Sequence, residues 1–101
     1  MELDFSRMAE RAQEAEDLLK RMANKNRLMV LCVLAEGGEL SVGQLNEQVP
    51  LSQSALSQHL SVLREAGLVK TRRASQTIYY TLGDERTEII LQSLHKVFCE
   101  D

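Results

Sequence analysis

Apolar residues recur along the chain at helical spacing. Phe5, Met8, Ala12, Ala15, Leu19 and Met22 stand three or four positions apart, which makes one seam of an amphipathic helix running from about 4 to 22, with charge on its opposite face. Asn24 is a helix-capping residue, and Leu28 to Ala35 are apolar without interruption, the pattern of a second helix buried on all sides. Gly37 and Gly38 end it. Ser41 and Gln44 lie at the spacing of a capping box, so a short third helix starts there, turns Val42, Leu45 and Val49 inward and stops at Pro50.

From Ser52 onward the helical period returns. Ala55, Leu56, His59, Leu60, Val62, Leu63 and Ala66 fall on one side, and Ser54, Ser57, Gln58, Ser61 and Glu65 on the other, with Gly67 as the stop. Leu68–Arg73 and Thr77–Leu82 are β-prone, and a short polar link at 74–76 joins them into an expected hairpin. Asp84 and Glu85 open a last helix with the stripe Ile90, Leu91, Leu94, Val97 and Phe98, and Asp84 is well placed at the positive end of its dipole. The expected fold is mainly α with a β-hairpin wing, in the order ααααββα. Two short helices joined by a tight turn and followed by a hairpin are the parts of a winged helix-turn-helix. The helix-turn-helix covers about 41–66 and the wing about 68–82.

A length of 101 residues with 44% hydrophobic and 27% charged side chains suits one folded domain, 1–101, and is too short for two. The longest apolar run falls far short of the roughly 20 residues of a membrane helix, and the N-terminus lacks an export signal. A cytoplasmic protein with no membrane partner is therefore expected. Two cysteines far apart in the chain make neither a secreted disulfide scaffold nor a zinc pair. Two histidines, without a phosphate-binding loop or a Ser, His and Asp arrangement, point away from an enzyme, and no cofactor is called for.

Net charge is −3, which taken alone argues against a nucleic-acid partner. Its distribution changes that picture. Residues 51–75 hold Arg64, Lys70, Arg72 and Arg73 against Glu65 alone, so the excess of acid lies elsewhere. Near the start of the fourth helix, Gln53, Ser54, Ser57 and Gln58 offer short hydroxyl and amide groups that suit base edges in a major groove, where an ordinary surface helix shows Lys and Glu. Ser52 sits at the same end. Lys70, Arg72 and Arg73 fall on the hairpin, where a wing meets phosphates or a minor groove. A cluster of solvated charges, or a winged helix that binds protein instead of double-stranded DNA, are the competing readings.

The segment Leu51-Ser-Gln-Ser-Ala-Leu-Ser-Gln-His-Leu-Ser-Val-Leu-Arg-Glu-Ala-Gly-Leu-Val69 resembles the recognition-helix signature of the ArsR/SmtB family of bacterial repressors. The likeness extends to 22–28, 39–45 and 78–82, most of the chain. It implies a homodimer through the first and last helices (about 4–22 and 84–99), a palindromic operator, and an inducer that weakens DNA binding. Metal-sensing members carry a Cys-Val-Cys motif in the third helix, where this chain has Ser41 and Gly43; at the family's other metal site it has Asp84, Arg86, Val97 and Glu100. Without either histidine that set is a poor zinc site, and a metal inducer is disfavoured. His95 reads as a solvated or interface residue.

Cys32 in the second helix and Cys99 at the end of the last resemble the arrangement of the family's thiol-based sulfide and redox repressors. The resemblance implies that both are sensing thiols, with reactive sulfur species or general oxidants as the inducer. Read from the residues, Cys32 also fits a small core hydrophobe. Cys99 lies off the apolar stripe at a helix end, and the negative end of a helix dipole does not favour a thiolate.

Overall fold

The structure, a computed structural model, describes residues 1–100. The last residue of the expected domain, Asp101, lies outside them. Five helices and a small sheet follow in order: α1 (Phe5–Met22), α2 (Lys25–Gly37), β1 (Leu40–Ser41), α3 (Val42–Gln48), α4 (Gln53–Glu65), β2 (Val69–Ala74), β3 (Thr77–Leu82) and α5 (Glu85–Cys99).

Each helix starts where a short polar side chain can take up free backbone N–H groups. Asn24 Oδ1 accepts from the amides of Asn26 at 2.9 Å and Arg27 at 3.1 Å. Ser41 and Gln44 close the expected capping box reciprocally. Asp84 accepts from the Arg86 amide at the head of α5. Beyond α4, Gly67 adopts φ +78° while the Leu68 amide reaches back to the Leu63 carbonyl at 2.9 Å. Leu63 and Leu68 are both buried, so this stop also seals one end of the core.

Three features depart from the sequence expectation. A two-residue strand, β1, pairs Leu40 with Tyr80 and Ser41 with Tyr79, giving a three-stranded antiparallel sheet in the order β1-β3-β2. Its stability comes from pairing with a strand about forty positions away, which leaves no local period to read. The hairpin is tighter than expected: Ala74 pairs with Thr77, only Ser75 and Gln76 turn the chain, and Leu68 is buried ahead of the strand. The third departure concerns α2, which is not buried on all sides. Val30, Leu31 and Leu34 enter the core, Leu28, Met29 and Val33 are half-buried, and Cys32 and Ala35 are exposed.

The core forms around α2. Leu45 and Val49 from the α3 region, Leu56, Leu60 and Leu63 from α4, and Leu68, Val69 and Leu91 complete it together with Met22. Gly83 joins β3 to α5 at a close backbone approach, where a Cβ would stand 2.9 Å from the Gly67 carbonyl oxygen. The first and last helices both keep apolar side chains in solvent. On α1 only Met22 is buried, with Phe5 81% exposed; on α5 Phe98 is 78% exposed.

Candidate nucleic-acid interface and thiol site

On α4 the amphipathic pattern places Leu56, Leu60 and Leu63 in the core and leaves Gln53, Ser54, Ser57 and Gln58 exposed. These four share the outer surface of the helix's first two turns, close enough together to act on one groove. Ser52 has a different position. As N-cap of α4 its hydroxyl accepts from the Ala55 amide at 3.1 Å, so its acceptor capacity is already partly used at the helix end.

The three basic residues of the hairpin lie on β2 but are not equivalent. Lys70 and Arg72 stand opposite Thr81 and Tyr79, whereas Arg73 stands opposite Ile78 beside the turn. Lys70 is exposed. Arg73 Nε donates to the Ser75 carbonyl at 3.3 Å. Arg72 is held by Glu39, with its Nε donating at 3.0 Å and its terminal nitrogen at 2.6 Å, and its guanidinium lies 5.0 Å from the centre of the Tyr79 ring. The pair holds the Glu39 carboxyl below the usual carboxylate range. The wing thus has two unneutralised cations and one whose charge an acidic side chain already meets. No local pattern reveals Glu39 as that partner, since the contact exists only because β1 docks on the sheet.

A second contact absent from the sequence reading joins three helices. Arg27, in the first turn of α2, donates to the Arg21 carbonyl at the end of α1 at 3.0 Å and to His59 Nδ1 on α4 at 3.4 Å. The helix carrying Cys32 is thereby tied directly to the helix carrying the polar face.

The two cysteines, from α2 and α5, line one cavity of about 200 Å³ with Leu28, Leu91, Leu94, His95 and Phe98. Both are free thiols and both are exposed. The exposure of Cys32 removes the core-hydrophobe reading. Burial of its sulfur still pushes the Cys32 thiol pKa up, and the neighbouring Cys99 and Glu36 add to the rise by opposing a thiolate. Next to this cavity lies another of about 250 Å³, in which Glu36 and Glu88 join Cys32 and His95.

Residues at the family's metal positions have other partners. Ser41 is occupied in the capping box, and Asp84 takes Arg86 in a bidentate ion pair that holds its carboxyl below the usual range. Val97 offers no donor and Gly43 no side chain. Among the described residues no three His, Cys, Asp or Glu side chains cluster closely enough to hold a metal ion.

Comparison with known proteins places this geometry. The bacterial regulatory protein, arsR family, matches residues 24–71, from the cap of α2 into β2. The transcriptional activator HlyU of Vibrio cholerae is 45% identical over 98 residues, covering 97% of this chain and 90% of that protein. The chain belongs to the ArsR family of bacterial regulators. Its fold closely matches a crystal structure of the transcriptional repressor BigR from Xylella fastidiosa, with TM-score 0.92, 40% identity, and 98% and 100% of the two chains covered. Reduced HlyU from Vibrio cholerae superposes with TM-score 0.85 at 47% identity, over 93% and 98% of the chains. As an ArsR-family transcriptional regulator the chain is a DNA-binding protein and not an enzyme. No helix among its described residues is long and apolar enough to cross a membrane.

Proposed function

We propose that this ArsR-family chain is a cytoplasmic, homodimeric repressor whose operator binding is switched off when reactive sulfur species link Cys32 to Cys99. The whole chain acts as one winged helix-turn-helix domain. The observation that carries the switch is the shared cavity: two thiols from different helices line one apolar pocket and remain unpaired in the reduced chain. Gln53, Ser54, Ser57 and Gln58 read base edges, Ser52 positions the helix end, and Lys70, Arg73 and Arg72 meet the DNA backbone, Arg72 by exchanging Glu39 for phosphate. The exposed apolar faces of α1 and α5 pair across a two-fold axis, which sets the two recognition helices about 34 Å apart for a palindromic site.

A thiolate attacks the terminal sulfur of a hydropolysulfide. The S–S bond breaks, the shortened hydropolysulfide leaves with the electron pair, and the cysteine keeps one added sulfur as a persulfide. The second thiolate then displaces hydrosulfide and closes the bond between α2 and α5. With a persulfide on both residues the same displacement gives a trisulfide, which tolerates a longer separation than a disulfide's Cα limit of about 7 Å. Because α2 holds α4 through Arg27 and His59, while α5 belongs to the dimer end, a covalent link between them alters how the two reading units face the operator.

Operator binding by reduced, polysulfide-treated and peroxide-treated protein, with mass spectrometry of both cysteine peptides, tests this. Release by polysulfide together with a Cys32–Cys99 linkage is expected, and C32S and C99S each abolish the release. Persistence of polysulfide release in the double mutant overturns the reading. The same cavity also favours a second reading, a general oxidant sensor forming a direct disulfide, which the peroxide arm distinguishes.

A further inference from the structure

Thiol chemistry needs a thiolate, and the surroundings of this pair work against one. Burial and the neighbouring Glu36 oppose ionisation at Cys32, and Cys99 is the last residue of α5, where the helix dipole is negative. Neither of these two cavities beside Cys32 has a Lys or Arg among its described lining residues. Both contain His95, the one basic side chain present. It stands one turn before Cys99 on α5, at the i, i+4 spacing that puts two side chains on one face, and it faces Cys32 across the gap to α2.

We propose that His95 is the proton acceptor that activates the thiol pair, an inference that rests on the dithiol reading above. The imidazole takes the proton of the attacking thiol. Once the S–S bond of the hydropolysulfide breaks, the imidazolium returns that proton to the departing hydropolysulfide anion. The second thiol repeats the cycle and hydrosulfide leaves as hydrogen sulfide, so two thiols and one hydropolysulfide yield a disulfide, hydrogen sulfide and the shortened hydropolysulfide. The titratable groups facing the ring are Cys32 and Glu36 from α2, and Glu88 and Cys99 from its own helix.

The test measures iodoacetamide alkylation of each cysteine against pH, by mass spectrometry, in the reduced full-length protein and in its H95Q and H95A variants. Thermal melting serves as the folding check, and His95 is exposed, so both variants should fold. Wild type is expected to alkylate measurably at pH 7, where an unassisted thiol is largely protonated. Both variants are expected to react about ten-fold more slowly at pH 7 and to approach the wild-type rate only in alkaline solution, where hydroxide ionises the thiols unaided. A variant with the wild-type rate and profile overturns the inference. Alkylation does not depend on the inducer, so failure of polysulfide to release wild-type protein from DNA, with the rate advantage over both variants at pH 7 intact, strikes the sulfur reading and leaves the role of His95 standing.

Discussion

The helix with the exposed polar face, α4, and the first and last helices, α1 and α5, use the same kind of amphipathic pattern with opposite results. On α4 the leucines Leu56, Leu60 and Leu63 turn inward and the outer face of the first two turns is polar, so the helix buries its main apolar stripe within one chain. On α1 and α5 the seams expose Phe5, Met8, Leu19, Ile89, Val97 and Phe98. An apolar surface of that extent is costly in water and is the mark of an interface. A helix can therefore satisfy its periodicity within its own chain or against another one, and the pattern alone does not say which. The thiol cavity has Cys32 on the helix that holds α4 and Cys99 on a helix whose apolar seam is left uncovered.

The sharpest way to break this contrast is to charge the exposed seam. F98D should cost about 2 to 4 kcal/mol of association, thirty-fold or more in the dimer dissociation constant. Sedimentation equilibrium reads this, and a wild-type chain that stays monomeric at micromolar concentration would refute the interface. Next in size is G83A, in which the new Cβ meets the Gly67 carbonyl. It should lower unfolding stability by about 1 to 3 kcal/mol in denaturant titration without changing the polar face of α4.

At the reading end, S57A and Q58A should each cost about 1 to 2 kcal/mol of operator affinity and relax sequence preference. K70A and R73A should weaken all duplexes alike and flatten the salt dependence by about one unit. Fluorescence anisotropy across a salt series separates the two groups, and identical behaviour would mean that helix and wing are misassigned. E39Q should act in the opposite direction. Releasing Arg72 from its carboxylate partner should tighten duplex binding by a few-fold at low salt, and no change in affinity would show that Arg72 does not reach DNA.

The smallest expected effect is on pH dependence. Glu14 and Asp84 both sit below their ordinary values of 4.5 and 3.8, Glu14 through Arg11 first and then Arg86, and Asp84 through Arg86. Their contribution to stability is fully present above those ordinary values and is lost as pH falls through the lowered native ones. The Glu14–Arg86 contact joins α1 to α5, so acid below those ordinary values should increase hydrogen exchange there before it does in α3 and α4. Exposure keeps the effect small. Uniform loss of protection would remove the distinction between the two ends.

Much of the reading unit was legible in the chain because its determinants are local. The caps at Asn24, Ser41 and Asp84, the stop at Gly67 and the two faces of α4 depend on residues within one or two turns, and all occur as expected. Less was legible at the thiol site. Both cysteines could be named, but the uninterrupted apolar run of α2 suggested a buried Cys32, and His95 read as a bystander. Glu39 carried no signal as the partner of Arg72.

The sequence alone determined the five helices and the two strands of the hairpin, approximately where each begins and ends, and which face of α4 is polar. These follow from backbone hydrogen bonding and side-chain period over a few residues. Tertiary structure decided that α2 leaves Cys32 at its edge, that α5 returns to bring Cys99 and His95 beside it, that β1 delivers Glu39 to Arg72, and that the seams of α1 and α5 stay uncovered. Each of these depends on how distant segments pack around one small core, and no local preference of the residues involved encodes that packing.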